Sequence, residues 1–320
     1  MQLDEHLKTL GVSDSLYEVM LACADGIFHI RELVHVGTSG YAGTQNVFGE
    51  DQLKLDVASN DILMKQLSGV KSVDFAASEE EEIERRLHID GEFSVAFDPL
   101  DGSSLVDVNF AVGTIIGIYP GGSFIGKKPS QMYSAMVAVY GPRTTLFITV
   151  KGKGVHQYVL TDGGFELQKE SIQVAEEGKY FAPGNLRACA KNPQYKALVD
   201  YWLDNQYTLR YSGGMVPDIN HILVKGKGIF TYPGYVDVPL GDLASSPARG
   251  DSADSPARGK LRLLYECGPM GFLIIEAGGV ASDGVISIMN KPLEQLDQRT
   301  PFFAGSKKEV EKALEFFIMR

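Results

Sequence analysis

Cysteine is scarce in this chain, with three in 320 residues at positions 23, 189 and 267. They are too far apart for a CxxC pair and odd in number, so neither a zinc site nor a disulfide framework is indicated, and a reducing compartment fits. Tryptophan occurs once, and the six histidines (6, 29, 35, 88, 156 and 221) show no metal-ligand spacing. No apolar run reaches the roughly eighteen residues of a membrane span. The N-terminus MQLDEHLKTL lacks the apolar core of a signal peptide and the basic, acid-poor character of a transit peptide. A cytoplasmic location is expected, or a plastid one if a transit peptide has been removed. Positive charge is also short, with 30 Lys+Arg against 41 Asp+Glu and a net charge of −11. Such a surface repels nucleic acid and anionic lipid, so neither nucleic acid nor a membrane is expected as a partner. An anionic substrate would need metal ions or a local basic cluster. What is present is ordinary: 44% hydrophobic and 22% charged residues, as in soluble globular proteins, in a length suited to about two domains.

Apolar residues Leu16, Val19, Met20, Cys23, Ile27 and Ile30 recur at spacings of three and four, which predicts an amphipathic helix from Ser13. A second helix is expected through Leu53, Val57, Met64 and Leu67, after the polar GTSGYAGTQN segment. Val73, Phe75 and Ala77 predict a strand delivering Glu79 and Glu80, and Phe93, Val95 and Phe97 predict another delivering Asp98. VGTIIGIYP reads as a buried strand, MVAVY-GPR-TTLFITV as a hairpin, and Asp162 to Gly164 as the turn of a further hairpin. The polar stretch QKESIQVAEEGKY places a domain boundary near 175, giving domains 1–175 and 176–320. Beyond it, Asn192-Pro193 should open a helix carrying Tyr195, Leu198 and Trp202. Pro217 to Val224 and the end of the chain through Val310, Leu314 and Phe317 should also be helical. GIFTY and KLRLLYE read as strands flanking an insertion at 239–259, which contains SPARG twice and almost nothing to bury, and is expected to be mobile. This mixture implies a layered α/β or α+β architecture.

Chemistry concentrates in Asp98-Pro99-Leu100-Asp101-Gly102-Ser103-Ser104. Two carboxylates three apart, on what reads as a turn made by proline and glycine, can converge on a hard cation, although a plain turn has the same composition. Glu79 and Glu80 end the preceding expected strand, Asp56 lies on a polar helical face and Glu266 ends the apolar run KLRLLYE; a run such as Glu79 to Glu82 is by itself a solvated helix start, but beside DPLDGS it makes a candidate site. The run FDPLDGSSLVDVNFAVGTIIGIYPG, with ASEE upstream and KLRLLYECGPMGFLIIEAGG downstream, resembles the sugar bisphosphatases related to fructose-1,6-bisphosphatase, in the lithium-sensitive, magnesium-dependent phosphatase superfamily. The likeness covers nearly the whole chain. DPxDGS marks the superfamily, and YGPRTT and LRYSGGMVPD mark the family. APGNLRA (182–188), TLRYSGGMVPD (208–218), PMGFLI (269–274) and LDQRTPFFAGSKKEV (296–310) look closer to its sedoheptulose-1,7-bisphosphatase branch. Gly214 and Gly268 stand where fructose enzymes usually carry serine and asparagine, and should widen the pocket for a seven-carbon sugar.

The resemblance implies a five-layer αβαβα sandwich of two domains, the first carrying most metal ligands and the second binding the sugar phosphate. It implies magnesium-dependent hydrolysis, with manganese as a substitute and two or three ions per site, of the C1 phosphate of sedoheptulose 1,7-bisphosphate. Fructose-1,6-bisphosphatase, or an enzyme acting on both, is the alternative; a non-catalytic metal- or phosphate-binding relative is a third reading. Glu79, Glu80, Asp98, the Leu100 carbonyl, Asp101 and Glu266 match metal ligands, and Asp56 and Glu80 match acids that help activate water. Backbone amides at Gly102, Ser103 and Ser104 and at the start of the next helix match the cradle of the reacting phosphate. Asn185, Arg210, Tyr211, Tyr232 and Lys260, with Gly213, Gly214 and Met215, match the distal phosphate and sugar site. Arg210 would reach across from a neighbouring subunit, so a homodimer or homotetramer is expected. Arg262, two residues after Lys260 on the expected strand, would share its face and add charge. Glu92 and Phe93 replace the lysine and tyrosine of AMP-regulated members, and no cysteine pair stands in 38–45, so neither AMP inhibition nor thioredoxin switching is expected.

Overall fold

The computed structural model describes residues 1–36, 41–45, 51–234 and 260–318. The insertion at 239–259 lies outside the described residues, as does part of the GTSGYAGTQN segment.

Two sheets and three helical layers alternate because each sheet has apolar side chains on both faces. The larger sheet has eight strands in the order β10-β9-β8-β7-β6-β5-β3-β4. These are β3 (Val73–Ser78), β4 (Arg85–Arg86), β5 (Phe93–Asp101), β6 (Val112–Pro120), β7 (Ser134–Tyr140), β8 (Thr144–Val150), β9 (Val155–Thr161) and β10 (Gly164–Ile172). All neighbours are antiparallel except β3 and β5, and the two expected hairpins are present. One face packs on α1 (Leu3–Thr9), α2 (Asp14–Val36) and α3 (Lys54–Ser68). The stripe of α2 is the one the spacing predicts. Helix α3 buries Met64 and Leu67 as expected, but Leu53 ends strand β2 (Asp51–Leu53), which pairs with β1 (Tyr41–Gln45), and Asp56, Ser59 and Asn60 are buried beside Leu55 and Leu63.

The other face of the sheet packs on α5 (Met215–Lys225) and α6 (Gly268–Glu276), which also cover the smaller sheet. That sheet runs β12-β11-β13-β15-β14, from β11 (Tyr180–Pro183), β12 (Thr208–Leu209), β13 (Ile229–Tyr232), β14 (Val280–Ser282) and β15 (Phe302–Gly305). Its side chains alternate: Ala182, Phe230 and Phe302 face the central layer, and Phe181, Ile229 and Phe303 face α4 (Pro193–Asp204) and α7 (Lys307–Ile318). Asn192 caps α4 by accepting from the Tyr195 N–H at 2.9 Å. The result is the αβαβα sandwich.

One segment departs from its expected form. KLRLLYE is not a strand; Leu263–Cys267 form a π-helical turn that runs into α6, and only Arg262 makes a bridge, to Arg299. Leu263, Leu264, Tyr265 and Cys267 are all buried, and an apolar run buried on every side has the same pattern as strand or helix. The turn closes on the Arg262 carbonyl, which accepts from the N–H groups of Glu266 and Cys267.

Candidate active site

The parallel pairing of β3 with β5 sets Ser78 opposite Phe97, so the residues that follow, Glu79 and Asp98, emerge together at one sheet edge. The Glu79 N–H donates to the Phe97 carbonyl at 3.1 Å. The DPLDGS segment is not a turn at its start. β5 continues to Asp101 through a bulge at Pro99-Leu100, where the register with β6 slips between Asp98, opposite Ile115, and Asp101, opposite Gly113. A bulge tolerates a proline because it frees a ladder position from donating. Leu100 N–H donates to Asp98 Oδ1 at 3.0 Å and Thr114 Oγ1 to the Pro99 carbonyl at 2.8 Å, which holds the bulge in place. The chain turns only at Gly102, with φ 78°, and enters a three-residue 3-10 turn at Ser103–Leu105 rather than an α-helix.

Gly113 brings the second half of the chain to this edge. A Cβ there would lie 2.2 Å from the Ala138 carbonyl oxygen and 2.4 Å from Val216 Cγ1, so only glycine lets α5 approach so closely. The Val216 N–H then donates to Asp101 Oδ2 at 2.8 Å. Asp218, on the same helix, accepts from the Ser212 N–H at 2.8 Å and braces the loop that ends at Gly214. The π turn delivers Glu266 from the other side.

Asp98, Asp101 and Glu266 are buried and offer ligand oxygens within 4.8 Å of one another. Burial, then the charge of Glu79, pushes the Asp98 and Glu266 carboxyls well above the usual range. Burial also raises Asp101 to about 6, against the Val216 N–H and Lys260, which favour its charged form. Two carboxylates 4 Å apart repel by about 4 kcal/mol at an effective dielectric of 20. The buried Arg262–Glu79 pair supplies one positive charge to a set of four acids. Oxygen-only donors with this excess of negative charge fit hard divalent cations.

The acids open into a cleft of about 440 Å³. Its wall holds Asp56, Glu79, Glu80, Asp98, Leu100, Asp101, Gly102, Ser103, Ser104, Tyr211, Gly213, Gly214, Met215, Tyr232, Lys260, Arg262 and Glu266. Asn185 and Arg210 are not on that wall. Arg210 lies 5.6 Å over the Tyr180 ring and donates to the Leu209 carbonyl, and Asn185, with φ 54°, heads a 3-10 turn at Leu186–Ala190. Arg262 does not double the charge of Lys260 from a shared strand face, because no strand exists there and its guanidinium is engaged by Glu79. Gly268 is likewise off the wall: a Cβ there would lie 2.7 Å from the Leu263 carbonyl oxygen and 3.3 Å from Pro129, inside the protein. Arg187, Phe230 and Leu261 line the cleft without having been expected there. Arg187 alone carried a signal, a cation two residues after Asn185 in an acid-rich chain. No described helix is long and apolar enough to cross a membrane.

Comparison with known proteins agrees with this geometry. The fructose-1,6-bisphosphatase N-terminal domain matches residues 5–170, and the C-terminal domain matches 174–245 and 248–317. A class 1 fructose-1,6-bisphosphatase of Trichlorobacter lovleyi is 43% identical over 97% of this chain and 93% of its own. The chloroplastic sedoheptulose-1,7-bisphosphatase of Triticum aestivum is 40% identical over 96% of this chain and 76% of its own. The structure superposes on the holo form of Leishmania major fructose-1,6-bisphosphatase with a TM-score of 0.88, at 31% identity over 99% of this chain and 98% of that one. The chain belongs to the fructose-1,6-bisphosphatase family of phosphatases.

Proposed function

We propose that this protein removes the C1 phosphate from a ketose bisphosphate with the help of bound magnesium, and that fructose 1,6-bisphosphate is its main substrate. The observation that carries the reading is the buried group Asp98, Asp101 and Glu266 opening into a cleft lined by Arg187, Tyr211, Tyr232 and Lys260. With Glu79, Glu80 and the Leu100 carbonyl, these acids would hold two or three magnesium or manganese ions. Bound there, the ions supply positive charge to the phosphate and its leaving oxygen. Asp56 and Glu80, on the same wall, hold the attacking water and accept its proton. The backbone around Gly102, Ser103 and Ser104 orients the reacting phosphate, while Tyr211, Tyr232 and Lys260 position the sugar and its distal end. Arg210, outside the cleft of its own chain, serves the cleft of a neighbouring copy in a homo-oligomer.

Fructose 1,6-bisphosphate takes precedence because bacterial fructose-1,6-bisphosphatases reach 43% identity, against 40% for the plant sedoheptulose-1,7-bisphosphatases. Sedoheptulose 1,7-bisphosphate is the second reading, favoured by the blocks at 182–188 and 208–218 and by Gly214 on the cleft wall. Initial rates on both substrates, with magnesium and in excess chelator, test both readings. Chelator should abolish turnover and magnesium restore it. Full activity in a preparation verified free of metal rejects the metal-dependent reading, and a tenfold higher kcat/KM for the seven-carbon substrate reverses the choice.

A further inference from the structure

Among the described residues, three cationic side chains stand on the cleft wall: Arg187, Lys260 and Arg262. Arg262 is buried against Glu79, and Lys260, which faces the sugar, also acts on Asp101. Arg187 is paired with none of these acids. It is exposed, makes no ion pair among the described residues, and its charge reaches the Tyr211 hydroxyl.

The fold builds this corner deliberately. Parallel strands β11 and β13 run in register, with Pro183 opposite Thr231, and end at the same edge. The Gly184 N–H donates to the Thr231 carbonyl at 2.7 Å. The Tyr232 ring lies directly against Gly184, where a Cβ would sit 2.5 Å from its Cδ2, so the glycine lets that ring reach the cleft. The chain then bends through Asn185 into the turn that carries Arg187. The cleft wall therefore joins a set of buried carboxylates to an exposed guanidinium and two tyrosines. A substrate with two phosphates matches both groups, the first through metal ions and the second directly, because a guanidinium presents paired donors to a phosphate.

We propose that Arg187 binds the phosphate that is not removed, and so separates sugar bisphosphates from monophosphates using a residue of the same chain. This rests on reading the protein as a ketose bisphosphatase. Wild type, Arg187→Ala and Arg187→Lys are compared on fructose 1,6-bisphosphate and on fructose 1-phosphate, which lacks the distal group. Arg187→Ala should raise KM for the bisphosphate by about ten- to hundredfold, the worth of a charged hydrogen bond, with kcat changed less than about threefold. The ratio of kcat/KM between bisphosphate and 1-phosphate should fall by the same factor, and Arg187→Lys should recover part of it. Calorimetry with fructose 6-phosphate, which keeps the distal phosphate, should show a matching loss of affinity. Equal losses on both substrates, or an unchanged KM for the bisphosphate, overturn the assignment. A wild type that turns over no ketose bisphosphate overturns the wider reading instead, and the fructose 6-phosphate affinity still decides on Arg187: no difference between wild type and Arg187→Ala rejects it.

Discussion

Asp98 illustrates how one side chain can be costly in the fold and needed in the site. Its carboxyl is buried among Glu79, Asp101 and Glu266 and is pushed well above its ordinary range, so without metal the folded state favours its neutral form. Asparagine is close in shape to that neutral acid and keeps the acceptor for the Leu100 N–H. Asp98→Asn should therefore leave the metal-free Tm unchanged or higher while lowering kcat more than about a hundredfold, beyond the 10–100-fold typical of residues that only support a ligand. Near wild-type turnover at saturating magnesium contradicts the assignment. Gly268 carries the opposite lesson. Its position suggested a wider sugar pocket, but its hydrogen points at the Leu263 carbonyl, Pro129 and the Tyr119 hydroxyl. Gly268→Ala should cost about 1–3 kcal/mol by overpacking and leave the ratio of kcat/KM between the two bisphosphates as it was. A shifted ratio with an unaltered Tm would put Gly268 back at the substrate. The contrast has a plain cause: the DPLDGS spacing keeps its acids at fixed offsets along one strand, whereas the direction of the glycine depends on a π turn that no local pattern announces.

Helix α1 is held against β10 and β9 by two buried histidines. His6 Nδ1 lies 2.6 Å from the Tyr158 hydroxyl, the His6 and His156 rings stand 4.7 Å apart, and His156 Nε2 is 3.0 Å from the Lys153 carbonyl. Burial lowers the proton affinity of both, His156 adds to the effect at His6, and Glu170 opposes it. Their folded values lie below the ordinary 6.5, so the unfolded chain takes up protons first. This contribution to stability is complete above about 6.5 and is lost as the pH falls through the lowered folded values. Hydrogen exchange at pH 7 and pH 5 checks it: α1 should lose protection at pH 5 before β6 and β7 do, and equal protection of α1 at both values rejects the clamp. The histidines were legible as lacking metal spacing, but their partnership was not, because 150 residues of chain separate residues 6 and 156. The same holds for α3, whose buried Asp56 and Asn60 depart from an apolar stripe because part of that face borders the cleft.

The two halves of the molecule meet through charge at the site itself. Arg262 and Glu79, 183 positions apart in the chain, form a buried ion pair between the π turn and the end of β3. Removing one partner of such a pair typically costs about 3–5 kcal/mol, because the other is left buried and uncompensated. Arg262→Ala should lower Tm by several degrees in metal-free buffer, and millimolar magnesium should restore part of the loss, since a bound cation stabilises the folded state and offsets the same negative charge. An unchanged Tm, or no recovery with magnesium, rules out a shared role for arginine and metal in holding the halves together.

Local chemistry was enough for most elements and for the acids. Alternating or 3.6-periodic apolar residues, the Asn192-Pro193 cap and the Gly-Pro turn are short-range signals, and the spacing of Asp98 and Asp101 is a local one, although it reads as a turn where the structure has a bulged strand. Tertiary structure decided what those acids face. The parallel register of β3 and β5 joins Glu79 to Asp98, Gly113 admits α5 to Asp101, and a buried π turn in place of a strand sends Arg262 to Glu79 and Glu266 to the cluster. Each of these depends on contacts between residues far apart in the chain, and an apolar run that is buried on every side holds no periodicity from which its path can be read.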